Sequence, residues 1–189
     1  MEIALILVDV INEFFLPEGR NYYHGYFSIF PNIQRLLSSA RRNKLTIVHA
    51  MEGHLPDHNH DFEWRKLPKH DILGSSEAEP VKGCEPLPGE RVVRKRRYSA
   101  FFATDLDLYL RELGINCVVI VGVKTNVCVR ATAQDAFALG YSVMVVREAV
   151  GSNFPHLHEA SLEDIDRYMG RVISLDEALV LLEKQGQRN

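Results

Sequence analysis

The residues that most constrain this chain run from Cys117 to Arg130. Cys117-Val118-Val119-Ile120-Val121-Gly122-Val123 is apolar, rich in β-branched side chains and too short for an ordinary helix. Such a run reads as a parallel strand covered on both faces. Thr125 and Asn126 follow with helix-capping chemistry, and Ala131 to Leu139 continue in good helix formers until Gly140. This pattern places Cys128 in the first turn of a helix that starts at the C-terminal edge of a sheet. Free N–H groups and the helix dipole there stabilise a thiolate, the form of cysteine that attacks electrophiles. Cysteine is also a common packing residue. Cys128 is therefore either core or nucleophile, and the rest of the chain has to decide.

The same pattern recurs. Ile3 to Val10, Leu45 to Ala50, Arg91 to Lys95, Tyr141 to Val146 and Arg171 to Ile173 read as further strands. Between them lie helical segments. Pro31 to Asn43 carries Ile33, Leu36, Leu37 and Ala40 at helical spacing, and Thr104 to Leu113 carries Leu106, Leu110 and Leu113 on one face. His156 to Met169 is a third, and Ser174-Leu175-Asp176-Glu177 is a capping box opening a last helix through about Lys184. Strands alternating with helices predict an α/β fold, a doubly wound parallel sheet of about six strands in the order 3-2-1-4-5-6 with helices on both faces. No internal repeat or linker divides the chain, so residues 1–189 are expected to form a single domain, with a fraying tail over 185–189. Residues 51–90 are Pro-, Gly- and His-rich with little periodicity, the signature of a long active-site loop.

Composition narrows the functional classes. At 189 residues with 46% hydrophobic and 25% charged residues, the chain has the makeup of an ordinary globular protein. A net charge of −3 gives no reason to expect nucleic acid or an anionic membrane as partner. The apolar N-terminal run is broken at Asp9 and lacks a basic flank, so neither a signal peptide nor a membrane span is expected. Cys84, Cys117 and Cys128 show no close pairing and no CxxC, which fits a reducing, cytoplasmic setting. Cys117 opens a buried strand and reads as core; Cys84 has no assigned role.

In the predicted strand order, strands 1 and 4 are neighbours at the switch point, where ligands bind outside the carboxyl ends. Asp9 ends strand 1 and Cys128 follows strand 4. An acid closing an apolar strand is either a capping or solvated terminus, or a general base beside the thiol. Lys95 ends strand 3 within the basic run Arg94-Lys95-Arg96-Arg97. It is either a surface lysine or the cation that keeps Asp9 ionised and favours a thiolate.

Ala4-Leu5-Ile6-Leu7-Val8-Asp9-Val10-Ile11-Asn12-Glu13-Phe14, Lys95-Arg96-Arg97-Tyr98-Ser99-Ala100-Phe101, Thr104-Asp105-Leu106 and Gly122-Val123-Lys124-Thr125-Asn126-Val127-Cys128-Val129 occur together in this chain. Ala131-Thr132-Ala133-Gln134-Asp135-Ala136 and His158 continue the pattern. In these segments the chain resembles the isochorismatase-like cysteine hydrolases, a superfamily including nicotinamidases, ureidoacrylate and biuret amidohydrolases and N-carbamoylsarcosine amidase. The resemblance implies a triad of Asp9 as base, Lys95 as its electrostatic partner and Cys128 as nucleophile. It also implies a cis peptide at Val123–Lys124 and an oxyanion hole from the backbone N–H groups of Lys124 and Cys128. The implied reaction is hydrolysis of an amide, ureido or carbamoyl C–N bond in a small molecule through a thioester, by an enzyme that assembles as a homo-oligomer, dimer or tetramer. A metal-dependent nicotinamidase, or a catalytically weak member acting in binding or assembly, are the alternatives.

Nicotinamidases hold a metal in the loop after strand 2, where this chain offers Glu52, His54, His60 and His70. With Glu in place of Asp and a shorter gap before the last histidine, the expectation is that no cofactor is required, although oxygen and imidazole donors suit a divalent metal. His54-Leu55-Pro56-Asp57-His58 also resembles the His-Pro loop of members without metal. His49 is expected to orient a site residue. Phe14, Tyr22, Tyr23, Trp64, Tyr98 and Phe101 are the candidates for substrate contact. Arg96, Arg97 or Lys124 are candidates for a substrate carboxylate. The Tyr98-Ser99-Ala100-Phe101 match, together with the weak metal set, favours a ureido or carbamoyl substrate over nicotinamide.

Overall fold

The computed structural model describes residues 1–57 and 60–187. Strands β1 (Ile3–Val8), β2 (Thr46–Glu52), β3 (Arg91–Lys95), β4 (Cys117–Val123), β5 (Ser142–Gly151) and β6 (Arg171–Ile173) pair in parallel in the order β3-β2-β1-β4-β5-β6. Between them run α1 (Asn12–Phe15), α2 (Phe30–Arg42), α3 (Leu106–Glu112), α4 (Arg130–Ala138), α5 (Pro155–Tyr168) and α6 (Leu175–Gly186). Among the described residues, no helix is long and apolar enough to cross a membrane.

Every residue of β1 and β4 is buried, as their unbroken apolar sequences require. Alternate residues serve opposite faces. Leu5, Leu7, Val119 and Val121 join Ile33, Leu36 and Leu37 of α2 and Leu182 of α6 in one core. Ala4, Ile6, Val8, Val118 and Ile120 join Leu106 and Leu110 of α3, Ala133 of α4 and Ile165 of α5 in the other. Truncating such a leucine to alanine costs about 2–5 kcal/mol. Helices on both faces leave only the strand ends open, and the carboxyl ends of β1 to β4 share one edge.

Several local readings need correction. Strand β2 runs on to Glu52 and β5 to Gly151, with a register irregularity opposite Ile120–Gly122. Helix α3 starts two residues later than Thr104, whose Oγ1 accepts from the Leu106 N–H at 3.3 Å, and Leu113 is exposed rather than packed. The capping box at Ser174 and Glu177 is present, but α6 continues through Gly186, so Gln185 is helical and buried. Arg188 and Asn189 of the expected tail lie outside the described residues, as does His58.

The loop over 51–90 is not a solvated excursion. It buries His54, Asp61, Glu63, His70, Asp71, Ala78, Val81 and Cys84. A bridge between His54 and Ile72, a short helical turn at Glu63–Arg65 and the hydrogen bond from the His54 N–H to the Asp71 carbonyl fold it back against the sheet edge.

Candidate active site

Four neighbouring strands each deliver a chemical group to the same edge. Asp9 follows β1, Glu52 closes β2, Lys95 closes β3, and Cys128 lies in the turn after β4. Lys95 Nζ is 2.8 Å from Asp9 Oδ2, 3.6 Å from Glu52 Oε2 and 3.5 Å from Cys128 Sγ. Asp9 and Lys95 are fully buried and Cys128 is 4% exposed. Asp9 takes a left-handed φ of 51°, which Asp tolerates better than most residues, and its Oδ1 accepts from the Glu52 N–H at 2.7 Å.

Electrostatics follow from this packing. Burial alone would lower the Lys95 ammonium, but the charges of Asp9, Cys128 and Glu52 outweigh it and hold Lys95 well above its ordinary value. Burial raises the Asp9 carboxyl, with Lys95 opposing and Glu52 adding to the rise. A carboxylate of raised basicity is a better proton acceptor than an exposed one. Burial also pushes the Cys128 thiol well above its ordinary value; Lys95 opposes, while Asp9 and Glu52 add to the shift. The packing thus opposes the thiolate that a helix start favours, while Lys95 offsets part of that cost.

The turn that carries Cys128 also differs from the expected α-helical start. Thr125–Val129 winds as a π-type turn, in which the Val129 N–H reaches the Lys124 carbonyl at 3.2 Å, and α4 begins only at Arg130. Thr125 and Asn126 do not cap it. Thr125 Oγ1 instead pairs with His158 Nδ1 at 2.9 Å, and Asn126 Oδ1 accepts from Ser152 Oγ at 2.7 Å. These bonds tie the turn to α5 and to the chain leaving β5. The Val123–Lys124 peptide is cis. Gly122 has φ of 114°, and a Cβ there would sit 2.0 Å from the Val8 carbonyl oxygen, so only glycine fits.

Cys128 opens into a cavity of about 190 Å³. Phe14, Tyr98 and Lys124 line it, as do Asn21, Leu67 and Val127, which the sequence did not single out. Glu52, Glu63 and His70 complete the wall. Phe101 is instead a core residue against Tyr141, and the Trp64 ring lies tilted against His54 with centroids 5.3 Å apart; neither lines the cavity. Tyr22 bonds His24, and Tyr23 lines a separate cleft. Arg96 and Arg97 both pair with Asp61 at 3.0 Å, away from the cavity, and His49 pairs with Glu90 at 2.7 Å rather than with a site residue.

Beside Asp9, Lys95 and Cys128 lies a second buried cluster. Glu52 Oε1 is 3.0 Å from both His54 Nε2 and His70 Nε2. The other ring nitrogens are also held, His54 Nδ1 by Asp61 at 2.9 Å and His70 Nδ1 by the Pro68 carbonyl at 2.7 Å. One ligand atom from each of Glu52, His54 and His70 lies within 4.8 Å of the others. Imidazoles oriented through Nδ1, with Nε2 turned to a carboxylate, are donors that could hold a divalent metal. The residues therefore fit a metal better than their sequence spacing suggested. His60 is exposed and outside the cluster. Its spacing offered no means of separating it from His54 and His70; their burial does.

Residues 3–177 match the family model for the isochorismatase domain. The chain is 35% identical over 180 residues to a maleamate amidohydrolase of Pseudomonas putida, covering 93% of this chain and 84% of that protein. An isochorismatase-like hydrolase from Alkaliphilus metalliredigens superposes with a TM-score of 0.89 at 33% identity, covering 96% of this chain and 99% of the other. A pyrazinamidase of Pyrococcus horikoshii in complex with zinc superposes with a TM-score of 0.82 at 30% identity, covering 92% and 99%.

Proposed function

Because this chain belongs to the isochorismatase family, and is similar to a maleamate amidohydrolase, we propose that it hydrolyses the C–N bond of a small amide or ureido compound with Cys128 as nucleophile. The observation that carries this reading is Lys95 Nζ set between Asp9 and Cys128, at 2.8 and 3.5 Å, where the thiol meets a cavity. Lys95 holds the carboxylate in place and favours negative charge on sulfur as it develops.

Asp9 takes the thiol proton as Cys128 Sγ attacks the carbonyl carbon. The resulting oxyanion is received by the backbone N–H groups of Lys124 and Cys128, each such donor contributing about 3–4 kcal/mol to the barrier. Asp9 passes the proton to the leaving nitrogen, the C–N bond breaks, and ammonia or an amine departs from a thioester. Asp9 then takes a proton from water, whose oxygen attacks the thioester. The acid leaves and the thiol is restored with that proton.

A second reading is favoured by the buried histidines. Glu52, His54 and His70 would hold a divalent metal at the cavity wall, where it would supply a Lewis acid to a polar group of the substrate. This chain's own residues keep their roles beside it. The Nδ1 bonds of His54 and His70 orient both rings, and Glu52 still faces Lys95.

The test is ammonia release from nicotinamide, maleamate, ureidoacrylate, biuret and N-carbamoyl amino acids, with wild type and Cys128→Ala side by side, each with and without chelator. Turnover of one compound that vanishes in Cys128→Ala is the expected result, and sensitivity to chelator selects the metal-assisted form. Equal turnover by the variant would remove Cys128 from the chemistry.

A further inference from the structure

Lys124, the residue just before the turn, brings a cationic side chain to the cavity wall. Its Nζ donates to Asn21 Oδ1 at 3.1 Å and lies 5.7 Å from the centroid of the Phe14 ring. Asn21 is itself fixed. Its side-chain amide donates to Glu13 Oε1 at 2.7 Å and its backbone N–H to the same oxygen at 3.1 Å. Glu13 is fully buried, and its other oxygen accepts from the Arg20 N–H at 3.2 Å. Asn21 thus stands between the ammonium and the nearest carboxylate chain. Among the described residues no carboxylate forms an ion pair with Lys124.

A half-buried ammonium without a counter-ion is an unfavourable arrangement. Burial lowers the Lys124 pKa, with Cys128, Glu52, Glu13 and Asp71 opposing it from beyond ion-pair distance. The other cation candidate on the wall, His70, is already engaged by Glu52 and by the Pro68 carbonyl. Glu63 lines the cavity near His70, at 3.9 Å, and repels an anion from that end. Arg96 and Arg97 are held on Asp61. The cavity wall therefore carries the Lys124 ammonium, with no ion-pair partner among the described residues, together with the carboxylates of Glu52 and Glu63 and the Cys128 thiol.

We infer that Lys124 receives a carboxylate of the substrate, so that the compound cleaved at Cys128 is an acid amide carrying a free carboxylate rather than a neutral amide. The carboxylate accepts from the ammonium, with Asn21 holding the Lys124 side chain against the wall. The scissile carbonyl is then directed to the thiol by a charge-assisted contact. This inference rests on the proposed hydrolysis, and its test separates the two.

Succinamate and the neutral succinamide are compared as substrates of wild type, Lys124→Met and Cys128→Ala, with melting temperatures as a check on folding. Wild type is expected to prefer succinamate. Lys124→Met is expected to lower the succinamate-to-succinamide ratio of kcat/KM by about a hundredfold, the effect of removing one partner of a desolvated charge pair, whatever it does to both rates together. Independently of turnover, Cys128 is alkylated with iodoacetate and iodoacetamide. Wild type is expected to show a higher iodoacetate-to-iodoacetamide rate ratio than Lys124→Met. Should the variant fail to fold, succinate is expected to protect Cys128 of the wild type from iodoacetamide at concentrations where succinamide does not. A ratio unchanged by the substitution, or equal protection by both compounds, would overturn the carboxylate assignment while leaving Cys128 hydrolysis intact. Turnover surviving in Cys128→Ala would instead sink the hydrolysis reading.

Discussion

The backbone N–H of Glu52 donates to Oδ1 of Asp9 at 2.7 Å, so the last residue of β2 fixes the carboxylate at the end of β1. The Glu52 side chain faces the other way, its Oε1 between His54 and His70 and its Oε2 toward Lys95. One residue therefore joins Asp9 and Lys95 to the imidazole cluster.

Removing the central cation should be felt in stability as well as turnover. Lys95→Met leaves Asp9 and Glu52 buried without their ammonium, a situation that typically costs about 3–5 kcal/mol. Asp9→Asn keeps the shape and leaves Glu52 to face Lys95. It is expected to destabilise less and to lower kcat by about 10²–10⁴, the usual contribution of a positioned general base. Urea unfolding and ammonia-release rates of the two variants check both halves. A Lys95→Met variant as stable as wild type would contradict the buried pairing.

Thiol labelling should discriminate the three cysteines. Burial pushes Cys84 up to about 12 and Cys117 up to about 11, and neither lines the Cys128 cavity. Cys128 also sits above its ordinary value, but it is open to small reagents through the cavity. Iodoacetamide should therefore modify Cys128 first, faster as pH rises, and reach the other two only after unfolding. Peptide mass spectrometry over a pH series reads this. Labelling of Cys128 no faster than of Cys84 and Cys117 would count against a reactive thiol.

Glu90 provides a pH-dependent clamp between β2, α2 and the end of the long loop. Burial would raise its carboxyl, but Arg41, the Leu87 N–H and His49 hold it down to about 2, from an ordinary 4.5. A depressed folded-state value means that this stabilisation is complete above about pH 4.5 and is lost as pH falls toward 2. Glu90→Gln should destabilise by about 1–3 kcal/mol at neutral pH. The gap from wild type should narrow in acid. Thermal melts at pH 7 and pH 3.5 decide it; a gap independent of pH would contradict the clamp.

Metal binding has a readout that needs no substrate. If Glu52, His54 and His70 close on zinc or manganese, metal added after chelation should raise the melting temperature. Saturation at about a hundred times Kd adds about 2.7 kcal/mol. His54→Ala and His70→Ala should abolish the shift, whereas His60→Ala, outside the cluster, should keep it. A shift that survives loss of both His54 and His70 would place the metal elsewhere.

Much of this architecture was legible because the sheet is buried on both faces. Ile3–Val8 and Cys117–Val123 carry no polar side chain, so strand type, parallel pairing and helices on either side followed from composition and spacing. Strand ends then put Asp9, Lys95 and Cys128 at one edge. The winding of Thr125–Val129 was not legible, since capping residues look the same before an α-helical or a π-type turn. Nor was the burial of His54 and His70. Their partners Glu52, Asp61 and Pro68 pair with them through chain reversals in a loop without periodicity. Phe101 and Trp64 were open to two readings, because a large aromatic ring suits a core as well as a ligand wall.

The close approach of Gly122 to Val8 has a bearing on how such a catalyst can be re-tailored. Backbone against backbone at the switch point sets the separation of the β1 and β4 ends as a machine sets a fixed gauge. Base and thiol are mounted on that gauge. Asn21, Leu67 and Tyr98, by contrast, reach the cavity from segments that cross it without belonging to the sheet. Exchanging those three can change which molecule is admitted while the separation of Asp9 and Cys128 stays as the sheet has set it.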